Sequence, residues 1–204
     1  MITWAEVVDY SGSPETVSEY VRPALDSVPS SLASRLGACV VILRPGLEPP
    51  QTVSRWKAGG GRIEVELAAG EAEPHDVALE LLLCLGQAVW ETLAPEETAA
   101  WLKLLDEEIR AKVEGEIDED ALEEKRRLFS SRTLARSSRR LLRYAGAAFA
   151  GTLAEYVHAL WHDVGVRVGP EHLPPKWLRR RLELFERWFP PEGGRRLFPP
   201  EYSA

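Results

Sequence analysis

The stretch that most constrains this chain runs from His75 to Leu93, where Val77, Leu79, Leu81 to Leu83, Leu85, Ala88 and Val89 cover nearly the whole circumference of a helix. A helix without a polar face is stable only inside a domain, wrapped by other elements. Its most apolar part, Val77 to Trp90, contains Glu80 and falls short of the about 20 residues that a bilayer span needs. The sequence therefore predicts a central core helix rather than a membrane anchor. With 204 residues the chain is long enough to build a core around it and fits a single domain, 1–204, with an α/β part at 1–93 and a helical part at 94–204.

The flanking segments supply the covering layers. Ser13-Pro14-Glu15 places Ser at an N-cap and Pro at N1, predicting a helix to about Leu25, and Ser30 to Leu36 predicts a second short one. Cys39-Val40-Val41-Ile42-Leu43 is a continuous β-branched run that reads as a buried strand ended by Pro45-Gly46. After Gly59 to Gly61, the strict alternation of Arg62-Ile63-Glu64-Val65-Glu66-Leu67 marks a half-exposed strand, and the two strands are expected to share a small sheet. Beyond the central helix the pattern is helical: Pro95 to about Val113, Ala121 to Phe129, Ser131 to Arg143, Tyr144 to Asp163 and Lys176 to Phe189. The predicted class is α+β, mostly helical, with a small N-terminal β-sheet.

Charge is distributed unevenly. Residues 1–124 carry 9 Lys plus Arg against 25 Asp plus Glu, net −16, whereas residues 125–204 carry 16 against 7, net +9. Such polarity means either that the halves attract within the fold or that the basic half meets an anionic partner. Arg132, Arg136, Arg139, Arg140 and Arg143 recur at helical spacing, with Arg179 to Arg181 and Arg195-Arg196 further on. The chain as a whole is acidic and carries no nucleic-acid module, so the reading in which these arginines face the acidic segment Asp106 to Glu124 or simply solvent is preferred over binding to nucleic acid. Met1 to Tyr10 lacks the basic and apolar pattern of a secretory signal, and the two cysteines, Cys39 and Cys84, sit in apolar segments. The expected compartment is the cytoplasm.

A half-exposed strand, a short turn and a buried helix carrying Leu83-Cys84-Leu85-Gly86-Gln87-Ala88-Val89 resemble the zincin metallopeptidases, in particular minimal ones of the anthrax-lethal-factor type. In that family the helix carries His-Glu-x-x-His, often His-Glu-Leu-Gly-His, in which two His hold zinc and the Glu takes a proton from the metal-bound water. Laid on Leu85-Gly86, the pattern puts the first His at Leu83, the Glu at Cys84 and the second His at Gln87. None of the three survives. Family members also supply a third ligand from a later helix in a pattern like Glu-x-Phe-Ala-Glu; Phe149-Ala150-Gly151 to Glu155 is similar, with Gly151 at the ligand position and Glu155 at the supporting carboxylate. Leu83 and Gly151 offer no lone pair and Gln87 only a neutral amide oxygen, so the resemblance implies a scaffold without catalytic zinc, and no cofactor is expected.

The resemblance implies a catalytically inactive, metallopeptidase-like protein that acts by binding a protein or peptide partner. A second reading is a metal-binding protein: Glu155, His158 and His162 fall at i, i+3 and i+7 on one helix, a spacing at which carboxylate and imidazole ligands share a face. A third is an anion or nucleic-acid binder that uses the basic C-terminal half. Gly59-Gly60-Gly61 precedes a strand and lacks the Lys-Ser or Lys-Thr of a phosphate loop, and no Ser occupies a nucleophile elbow.

Overall fold

The computed structural model describes residues 4–130, 138–162 and 169–197. Four strands, β1 (Ala5–Asp9), β2 (Ala38–Arg44), β3 (Ser54–Gly59) and β4 (Arg62–Ala68), form one mixed sheet in the order β1-β2-β4-β3. β1 and β4 both run parallel to β2, and β3 pairs antiparallel with β4, so the two strands read from the sequence are direct neighbours with Cys39 opposite Ile63 and Val41 opposite Val65. The fold is α+β.

Alternation decides which side of the sheet carries the core. Cys39, Val41 and Leu43 of β2 and Ile63, Val65 and Leu67 of β4 are all buried on one side. The other side is a ladder of ions: Glu66 joins Arg44 and Arg55, and Glu64 joins Lys57 (2.6 Å) and Arg62 (3.2 Å). Exposed pairs of this kind contribute at most about 1 kcal/mol each, so they set register and solubility more than stability.

A π-helical turn, Thr16–Val21, continues into α1 (Arg22–Asp26) and is followed by α2 (Ser30–Leu36). Then come α3 (Pro74–Trp90), α4 (Pro95–Arg110), α5 (Glu119–Ser130), α6 (Ser138–His158) and α7 (Pro175–Trp188). α3 is the central helix: Val77, Ala78, Leu81, Leu82, Cys84, Leu85, Gly86, Ala88 and Val89 are buried, between the sheet on one side and α6 on the other. α6 runs without a break through Arg143-Tyr144, where the sequence reading divides two helices. The reading of Ser131 as a helix start, Arg132, Arg136 and Asp163 all lie outside the described residues. Among the described residues no single helix is long and apolar enough to cross a membrane.

Candidate functional site

The site grows from the seam between α3 and α6. Gly86 allows their close approach, since a Cβ there would stand 2.7 Å from Ala150 Cα; Gly146 likewise makes room for the Trp90 indole. At the other end of the seam the His75 ring meets that of His158. These pairings run in opposite directions along the two helices, so α3 and α6 are antiparallel. Between the ends, a cavity of about 280 Å³ opens. α3 lines it with Leu79 and Leu83, α6 with Gly151, Ala154 and Glu155, and the approach to α5 with Glu116 to Glu119. Glu171 and His172 close one side, held there by a two-way backbone bridge in which Glu116 N–H donates to Glu171 O (3.0 Å) and Leu173 N–H to Glu116 O (3.1 Å).

Of the residues singled out by the resemblance, Leu83, Gly151 and Glu155 come together on this cavity, and Cys84 and Gln87 do not line it. A helix turns about 100° per residue, which carries Cys84 into the core, where burial pushes its thiol up to about 12. Gln87 is exposed, and its Oε1 accepts a hydrogen bond from Trp56 Nε1 (2.7 Å) on β3. The residue that shares the cavity with Leu83 is Leu79, four positions earlier. Read in that register, Leu79-Glu80-Leu81-Leu82-Leu83 has leucine at both ligand positions and a glutamate where a base would stand, with Glu80 Oε1 accepting from Ser54 Oγ (2.5 Å).

Asp118 is the cavity carboxyl that burial pushes upward. It stands before α5 with Oδ1 accepting from Ala121 N–H (3.0 Å), and its other oxygen has no hydrogen-bond partner among the described residues. Burial raises its carboxyl to about 6, and the neighbouring Glu116 and Asp120 charges add to the rise against the backbone hydrogen bonds. The carboxylate occupies the space that a Cβ on residue 151 would need, so a side chain there would require Asp118 to turn aside.

No protein-family model, curated protein or solved structure matches the chain. What the site can do rests on its own side chains.

The second sequence-derived set, Glu155, His158 and His162, is divided by the structure. Glu155 lines the cavity, while the His158 and His162 rings stack on each other (5.3 Å between centroids) and are joined by His75 from the first turn of α3. Among the described residues, no group of three or more His, Cys, Asp or Glu is arranged to hold a metal ion.

Part of the basic half is engaged by the acidic one. Arg180 pairs with Glu107 (2.5 Å), and fully buried Arg181 makes a two-point contact with Glu108 (2.9 and 2.6 Å) and another with Glu116 (2.8 and 3.0 Å). Lys125 Nζ (3.0 Å) and the Tyr144 hydroxyl (2.5 Å) both donate to Glu116, and the Arg181 guanidinium lies over the Trp101 ring. Burial alone would raise the Glu116 carboxyl; the Arg181 charge and hydrogen bonds, with Lys125 and Tyr144, outweigh it and hold it at about 2. Two cations and two anions balance, which is the condition for burying charge without a large penalty. Arg139, Arg140 and Arg143 lie on the exposed side of α6.

Proposed function

We propose that this protein is a non-catalytic, metallopeptidase-like binding protein whose α3/α6 cavity receives a side chain of a partner peptide. The observation that supports the reading is the cavity's composition: Leu79, Leu83 and Gly151 give it a wall without ligating side chains, and carboxylates surround them. Apolar walls with a carboxylate rim of Asp118, Glu119, Glu155 and Glu171 suit a basic side chain, whose aliphatic stem packs on the leucines while its charge meets the rim. The strongly negative first 124 residues would draw such a peptide in. The buried thiols of Cys39 and Cys84 are in keeping with a cytoplasmic location. Pairing of Arg180 and Arg181 with Glu107, Glu108 and Glu116 leaves the nucleic-acid reading with less support.

Fluorescence anisotropy with labelled peptides that differ only in a central Lys, Arg, Leu or Glu tests this reading. The Lys and Arg peptides should bind, and Leu83→Trp, which fills the cavity, should weaken them by about tenfold or more, equivalent to about 1.4 kcal/mol. Binding indifferent to Leu83→Trp would move the site elsewhere, and hydrolysis of any peptide would overturn the non-catalytic part.

A further inference from the structure

Three of the four histidines in the chain gather at one end of the α3/α6 seam. His75 comes from the first turn of α3, His158 is the last residue of α6, and His162 follows four residues later. Their ring centroids lie 5.1 to 6.1 Å apart, and the Nε2 atoms of His75 and His158 are 3.1 Å from one another. We propose that this cluster binds a divalent transition-metal ion of the kind imidazole prefers, with His75 and His158 as the primary ligands and His162 as the third.

The Nε2 separation is the strongest support. An ion that holds imidazole nitrogens at about 2.0–2.1 Å places two neighbouring ligands about 2.9 to 3.4 Å apart, depending on the angle between them. A shared N–H···N hydrogen bond accounts for the same distance in the absence of metal, so the ion replaces one proton and a small tilt of each ring redirects the lone pairs. The other nitrogen of His75, Nδ1, faces Asp76 Oδ1 at 3.7 Å. That is beyond hydrogen-bond distance, but a small turn of the exposed Asp76 side chain would let it accept from Nδ1–H, the usual outer contact of an imidazole that gives Nε2 to a metal. His162 is exposed and has to turn toward the pair, which is why the cluster does not already surround a single point. Ligand type favours Zn²⁺, Ni²⁺ or Cu²⁺ over Mg²⁺ or Ca²⁺. The ion would sit about one helical turn from Leu79 and so close one end of the seam without entering the cavity.

The test uses the full chain stripped with chelator and titrated with Zn²⁺ at pH 7.5 by calorimetry and equilibrium dialysis. One equivalent should bind and raise the melting temperature. His75→Ala, at a partly exposed first-turn position, should weaken binding at least tenfold and abolish the thermal shift, whereas His172→Ala, outside the cluster, should change neither. Affinity should be weaker in acid than at pH 7.5, since protons compete with the metal for the same lone pairs. Absence of saturable Zn²⁺ binding, or binding unchanged by His75→Ala, would overturn the site. If His158→Ala fails to fold because His158 is buried, the His75 variant decides the outcome alone.

Discussion

At the scale of single residues, Asp118 and Gly151 form one unit, since the carboxylate takes the room that a side chain at 151 would occupy. Burial raises the Asp118 carboxyl from 3.8 to about 6, so the folded chain holds that proton more tightly than the unfolded chain does. Ionising Asp118 therefore costs stability: the cost is absent below about pH 4, develops as pH rises toward 6 and is complete above it. Asp118→Asn removes the charge and keeps an oxygen to accept the Ala121 N–H. Urea denaturation should find the variant about 1–2 kcal/mol more stable than the parent at pH 8, with the gain fading toward pH 4. A gain that does not change with pH would mean that Asp118 titrates normally. Glu116 has the opposite sign: its carboxyl is held at about 2, so its contribution is full above 4.5 and is lost as pH falls toward 2.

At the scale of elements, Arg181 of α7 joins Glu108 of α4, Glu116 of the α4–α5 connection and Tyr144 of α6. Arg181→Met would leave two buried carboxylates facing the single Lys125, at a cost of about 3–5 kcal/mol. Adding Glu108→Leu restores neutrality, because Glu116 and Lys125 still balance, and most of the loss should return in a chemical denaturation series. A double variant no more stable than Arg181→Met would show that the loss reflects shape rather than charge. The same elements show what a sequence can disclose. α2, α3, β2 and β4 were legible because each has a strong local period or run, and charge counting left room for the pairing of Arg180 and Arg181 with Glu107, Glu108 and Glu116. β1 (Ala-Glu-Val-Val-Asp) and β3 (Ser-Arg-Trp-Lys-Ala-Gly) were not, since each is an edge strand defined by pairing with a distant partner rather than by its own pattern. Which arginine is buried was equally hidden: Arg179, Arg180 and Arg181 are adjacent and identical in type, and only the rotation of α7 selects the third.

At the scale of the whole molecule, the proposed metallopeptidase likeness can be laid on α3 in two registers, and the structure distinguishes what each would bring together. Leu85-Gly86 aligns Leu83 and Gln87 with the two His, but Gly86 is spent on the contact with Ala150, and Gln87 points to Trp56. Leu79 and Leu83 are the pair that shares the cavity with Glu155. Leu79→His and Leu83→His, made in a His75→Ala background to keep metal away from the histidine cluster, should therefore create a zinc site with Glu155 as the carboxylate ligand and a place left for water. Gly151→Glu is unsuitable for this purpose, because Asp118 already fills its space. The new imidazoles replace partly buried leucines and should cost roughly 1–3 kcal/mol without metal, so zinc should raise the melting temperature of this variant markedly and leave the His75→Ala parent unchanged. The matched variant Leu83→His with Gln87→His, in the same background, should show no such rise, since its two imidazoles do not both line the cavity. Zinc stabilisation of the second variant and not the first would favour the Leu85-Gly86 alignment and move the engineered site to the side of α3 that faces β3.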